Sequence, residues 1–153
     1  MKIIPGDLSD PRLIELIVFH INSARAQTAP GSSHALDTSG LAAPGIELWT
    51  LISEDDIAAI GALKTLSSDH GEIKSMHTAG RHRRQGFAGH LLRHLIGRAR
   101  GLGMTRLSLE TGSWAYFEPA HAFYQSHGFE LCEPFADYRA DPNSLFMTLD
   151  LNR

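Results

Sequence analysis

The apolar residues of this chain change their period across a short basic loop, and that change constrains the fold more than any other feature. Glu72, Lys74, Met76 and Thr78 share one face of an extended run, with Ile73, Ser75 and His77 on the other, the alternation of a β-strand. After Ala79-Gly80 come Arg81, Arg83 and Arg84; then Ala88, Leu91, Leu92, Leu95, Ile96 and Ala99 recur at helical spacing. The pattern predicts a helix over about 87–100, stopped by Gly101 and Gly103. Strand, basic glycine-containing loop and helix therefore follow one another.

The other elements arrange themselves around this core. Met1 to Ile4 reads as a short strand closed by Pro5-Gly6, and Asp10-Pro11 as the N-cap and first position of an amphipathic helix over about 10–25. Residues 27–45 hold Pro30, Gly31, Ser32, Ser33, Ser39, Gly40, Pro44 and Gly45, a loop composition with room for one short helix. Ile46–Ile52 and Ile57–Leu66 read as a hairpin across Glu54-Asp55-Asp56, and with Glu72–Thr78 they make a meander. Met104–Thr111 returns to strand, Pro119–His127 is a helix ended by Gly128, and Leu145–Leu149 is a late strand. This order predicts one mixed α/β (α+β) sheet in a single domain, 1–153.

Composition narrows the classes. A net charge of −3 gives the surface as a whole no attraction for nucleic acid or anionic membrane, and no apolar run reaches the length of a membrane span. The single Cys132 has no intramolecular partner, and the N-terminus lacks a signal-peptide core; both suit a cytoplasmic location.

The loop before the helix carries the chemistry. Gly86 can take positive φ and admit a ligand close to the backbone. The free N–H groups of the first turn, from about Gln85 to Gly89, would converge on an anion, aided by the helix dipole. Arg81, Arg83 and Arg84 add charge suited to phosphates. There is no Gly-x-x-x-x-Gly-Lys-Ser/Thr, which excludes a P-loop; the first glycine of a dinucleotide fingerprint is also missing.

Arg83-Arg84-Gln85-Gly86-Phe87-Ala88, between strand and helix, resembles the Arg/Gln-x-x-Gly-x-Gly/Ala signature of the GNAT superfamily of N-acetyltransferases. Ala120 to Phe129, with Tyr124 and Gly128, is similar to that family's helix and strand further on. Residues 133–144 resemble an uncharacterised bacterial branch of it. The resemblance implies a mixed central sheet with a splayed strand pair, helices on both faces, and acetyl-CoA as co-substrate without a metal. Met76, His77 and Thr78 would then offer backbone groups to pantetheine, and Arg83, Arg84, Gln85, Gly86, Phe87, Ala88 and Gly89 would cradle the pyrophosphate. A backbone N–H near Met76 or His77 would polarise the thioester carbonyl. Glu72 is the expected general base and Tyr124 the expected general acid, with Glu110 in reserve as base. The bland alternatives are a surface ion pair for Glu72 and a packed aromatic for Tyr124.

Two positions depart from the family pattern: Thr78-Ala79-Gly80 replaces Val-x-Pro, and Phe117 stands where many members have asparagine. His90 and His94, spaced i, i+4 but without an accompanying glutamate, read as a polar helix face rather than a zinc site. Cys132 reads as a small buried hydrophobe. Trp49, Trp114, Tyr116 and Phe117 either wall the acceptor site or pack. The expected reaction is acetyl transfer to a primary amine of a small molecule or peptide. A non-catalytic acyl-CoA sensor of the same fold is the alternative, a general nucleotide binder a third reading. A homodimer is left open. Acceptor selectivity is expected in the 27–45 loop.

Overall fold

A computed structural model describes residues 1–152. Asp10 caps helix α1 (Pro11–Ala26), its carboxylate accepting the Arg12 N–H, with Pro11 opening the first turn. Leu13, Ile17 and Ile21 form the buried stripe of α1. This stripe packs on Leu48, Ile60 and Ala62 of the sheet. Asp37 caps the four-residue α2 (Thr38–Leu41) inside the predicted loop. Helix α3 (Phe87–Gly101) buries Leu92, Leu95 and Ile96 against Ile73, Leu107 and Leu109 on the opposite face. Tyr124 of α4 (Glu118–Ser126) joins the same cluster.

Between these layers runs a seven-stranded sheet, β1 (Lys2–Pro5), β2 (Ile46–Ser53), β3 (Asp56–Ser67), β4 (His70–Thr78), β5 (Arg106–Gly112), β6 (Glu130–Leu131) and β7 (Ser144–Asp150), in the order β1-β2-β3-β4-β5-β7-β6. The two-residue β6 is an addition to the expected elements; it is too short to show a periodic pattern. All neighbours are antiparallel except β4 and β5. The parallel pair follows from the crossover through α3, which returns the chain in the same direction.

That pair creates the site. β4 and β5 are in register only from His70↔Arg106 to Ile73↔Leu109, whereas β5 remains paired to β7 as far as Gly112↔Ser144. Beyond Ile73 the two strands part, as the splayed-pair expectation required. The cause is visible in β4. Lys74 is paired with Ala62 and His77 with Ile60, so Ser75 and Met76 together oppose Gly61, and Ser75 has φ +58. A bulge bends its strand and raises local twist, here turning the end of β4 away from β5.

Candidate active site

The wedge between the parted strands holds a run of adjoining cavities that share lining residues. At one end it is lined by Arg83 and Ala88, by Met76, His77 and Thr78 of β4, and by Tyr116, Phe117 and Tyr124. The middle passes between Lys74–Met76 and Glu110–Gly112, with Ser32, Ser33 and His34 closing it from the 27–45 loop. The far end opens into a chamber of about 1020 Å³ bounded by Lys64, His70, Glu72, Lys74 and the 136–142 segment.

At the first end, Gly86 takes φ +79 and immediately precedes α3, which has no side-chain cap. The His90 N–H already bonds the Gly86 carbonyl. The N–H groups of Phe87, Ala88 and Gly89 therefore remain as the uncompensated donors of the first turn. Arg81, counted with Arg83 and Arg84 as phosphate charge, is turned elsewhere. Its guanidinium gives Asp56 two hydrogen bonds of 2.7 and 3.0 Å, and the His82 Nε2 lies 2.8 Å from the same carboxylate. The Arg81 guanidinium first, then His82, holds the Asp56 carboxyl far below its ordinary range. Asp56 thus ties the β2–β3 turn to the chain just before the loop. The sequence pattern could not separate one arginine's partner from another's.

Of the two carboxylates, Glu72 is buried and engaged. Its side chain is 2% exposed, with the Lys74 Nζ at 3.3 Å and the Tyr138 hydroxyl donating at 2.5 Å. Lys74 also donates to the Tyr138 oxygen at 2.9 Å, closing a three-membered network. The network is an ion pair, but an enclosed one, unlike the surface pair considered as the alternative for Glu72. Burial and the Glu72 carboxylate push the Tyr138 hydroxyl up, so it stays protonated. Glu110 faces the middle of the cleft together with Tyr124. Burial raises its carboxyl to about 7, only partly offset by the nearby Lys74 charge. Burial also pushes the Tyr124 hydroxyl up, keeping it protonated at neutral pH.

His20 of α1 meets His77 with their Nδ1 atoms 3.1 Å apart. Burial lowers both to about 4, so both rings are neutral, one donating and the other accepting. The pair links α1 to the end of β4 at the cleft wall. Neither Tyr138, 66 residues from Glu72, nor His20, 57 from His77, could be joined to its partner by any spacing rule. Lys74 was within reach, since alternation puts it on the face of Glu72.

Several expectations are settled by position. His90 is exposed, but His94 is half-buried against the Trp49 ring at 4.3 Å, so the expected polar face holds only at His90. Trp49 packs on the α3 side of the sheet, Trp114 donates to Asn143, and Tyr116 and Phe117 wall the cleft. The Phe117 ring lies over Gly112, where any Cβ would collide with it. Cys132 lies outside the cleft and is half-buried beside the short β6 rather than buried as expected; partial burial raises its thiol. Among the described residues no group of three or more His, Cys, Asp or Glu side chains could hold a metal ion, and no helix is long and apolar enough to cross a membrane.

Comparison with known proteins agrees with this architecture. Residues 19–129 match the model of the acetyltransferase (GNAT) family. The chain is 48% identical over 151 residues to the uncharacterized N-acetyltransferase YsnE of Bacillus subtilis (strain 168), covering 99% of this chain and 100% of that one. It is 46% identical to the uncharacterized N-acetyltransferase YedL of Escherichia coli (strain K12), covering 95% and 91%. A GNAT family acetyltransferase from Elizabethkingia anophelis, solved with acetyl-CoA bound, superposes with a TM-score of 0.70 at 18% identity, covering 97% of each chain. The chain belongs to the GNAT acetyltransferase family. Its general activity is acyl transfer from an acyl-CoA to an amine.

Proposed function

We propose that the chain, as one catalytic domain over 1–153 in the cytoplasm, transfers an acetyl group from acetyl-CoA to a primary amine of a small molecule or peptide. The observation that carries this reading is the run of adjoining cavities from the uncapped first turn of α3, past Tyr124 and Glu110, to the chamber beyond β4. The amides of Phe87, Ala88 and Gly89, with Arg83, Arg84, Gln85 and Gly86, hold the pyrophosphate. Backbone groups of Met76, His77 and Thr78 hold pantetheine, and an N–H at the bulge polarises the thioester carbonyl.

Glu110 takes the proton from the incoming ammonium. Its raised carboxyl matches the task better than Glu72, whose carboxylate is engaged by Lys74 and Tyr138. The freed nitrogen attacks the carbonyl carbon, the tetrahedral adduct collapses with cleavage of the C–S bond, CoA departs as the thiolate, and the nitrogen's second proton passes to solvent. Tyr124, protonated throughout, donates a hydrogen bond to the departing sulfur.

The cofactor half is tested by Gly86→Pro. Proline cannot adopt φ +79 and lacks the N–H, so CoA affinity should be nearly abolished. Replacing Arg83 and Arg84 together by Ala should weaken CoA binding and flatten its salt dependence. Calorimetric titration reads both. Wild-type affinity in folded forms of the two variants contradicts the assignment.

A further inference from the structure

Two cations at the chamber end of the cleft have no evident partner. Lys64 is half-buried on β3, directly opposite Glu72 in the β3–β4 register, and Arg139 lies on the segment across the chamber. Among the described residues neither makes an ion pair. The acidic groups of the chamber do not answer them. Glu72 is held by Lys74 and Tyr138, Asp141 accepts the Asn143 backbone and side-chain N–H groups, and Asp137 is exposed without an ion-pair partner. The wall is rigid. Tyr138 is wedged against Phe135, Phe146 and His34, with ring centroids 5.1, 5.5 and 5.0 Å away.

We infer that the acceptor amine carries a carboxylate at its far end, bound by Lys64 and Arg139 while the amine lies at Glu110. The register sets the span. Lys64 faces Glu72, Glu72 faces Ser108, and Glu110 lies two residues further along β5 on the same face. With strands about 4.8 Å apart and a rise of about 3.3 Å per residue, the Lys64 and Glu110 Cα atoms are roughly 12 Å apart. That distance, shortened by the side chains reaching inward, fits an amine and a carboxylate separated by several bonds rather than by one carbon. A charge-assisted hydrogen bond is worth about 1.5–3 kcal/mol, so the preference should be roughly ten- to a hundredfold.

The inference rests on the acetyl-transfer reading, and its test separates the two. Initial rates of thiol release from acetyl-CoA are compared for ε-aminocaproate and hexylamine. Hexanoate, which cannot react, is tested in parallel for thermal stabilisation of the protein. The expected result is a kcat/KM about ten- to a hundredfold higher for the amino acid. Lys64→Gln should remove the preference while leaving the hexylamine rate near wild type. Hexanoate should stabilise the wild type but not Lys64→Gln. Equal rates for the two amines, or a preference surviving in both Lys64→Gln and Arg139→Gln, would overturn the carboxylate assignment. Stabilisation by hexanoate with no turnover of either amine would leave the anion site standing and sink acetyl transfer.

Discussion

Glu72 and Glu110 are two carboxylates on neighbouring strands, and their surroundings give them different chemistry. Glu72 is fixed by Lys74 and Tyr138, whereas burial raises Glu110 to about 7 in the cavity it shares with Tyr124. If Glu110 is the base, the acidic limb of the kcat/KM profile should have its midpoint near 7. Glu110→Gln should remove that limb and cost about 10²–10⁴-fold in turnover with CoA affinity retained. Glu72→Gln should leave the limb in place; if the limb moves with Glu72 instead, the roles are exchanged. Stability carries the same signature with a definite sign. A carboxyl raised on folding binds more protons in the folded state, so stability should fall as pH rises from about 4.5 to about 7. Melting scans should show this slope lessened in Glu110→Gln. Tyr124→Phe should keep CoA affinity and produce a smaller, pH-independent loss in rate. A CoA thiol has an ordinary pKa near the cysteine value of about 8.5, so it departs tolerably without help. A Tyr124→Phe defect that vanished at high pH would place the tyrosine on the amine side.

The elements that shape the cleft differ in how far the sequence announces them. Alternation along Glu72–Thr78 followed by helical spacing from Ala88 placed β4 and α3, because both signals are local. The expected faces fail past Lys74: Met76 packs on the α3 side with Leu91, and His77 turns to His20 of α1. The bulge at Ser75–Met76 left no such mark. Neither residue is a glycine, and the extra residue exists only relative to Gly61 on the partner strand. The clamp of Asp56 on Arg81 and His82 was equally hidden, since it joins positions 25 and 26 residues apart. It fixes the chain entering the loop proposed to hold the pyrophosphate. Asp56→Asn should therefore weaken CoA binding several-fold while changing the melting temperature little, because exposed ion pairs contribute at most about 1 kcal/mol. A large drop in melting temperature with unchanged CoA affinity would make the clamp a fold contact only. The low Asp56 carboxyl also fixes the direction with pH. What the clamp contributes is present at neutral pH and is lost only in acid, below the ordinary aspartate range.

At the scale of the molecule, the seven-stranded sheet with α1 and α2 on one face and α3 and α4 on the other opens where the parallel pair parts. The proposed cofactor half of that opening rests on Arg83 to Ala88, a contiguous piece of chain and so open to a reading from sequence. The proposed acceptor half was legible only in pieces, Glu110 as a reserve base and the 27–45 loop as a source of selectivity. Tyr138, Lys64, Glu110 and the 32–35 segment come together only through the sheet register and the return of the chain over it. The central claim is that this opening performs acetyl transfer rather than storing acyl-CoA. The direct measurement is thiol release from acetyl-CoA by the wild-type protein across primary amines, with acetyl-CoA affinity measured alongside. The account predicts saturable release that requires both substrates and falls about 10²–10⁴-fold in Glu110→Gln at undiminished affinity. Tight acetyl-CoA binding with no amine-dependent release, or equal release by wild type and Glu110→Gln, would contradict it.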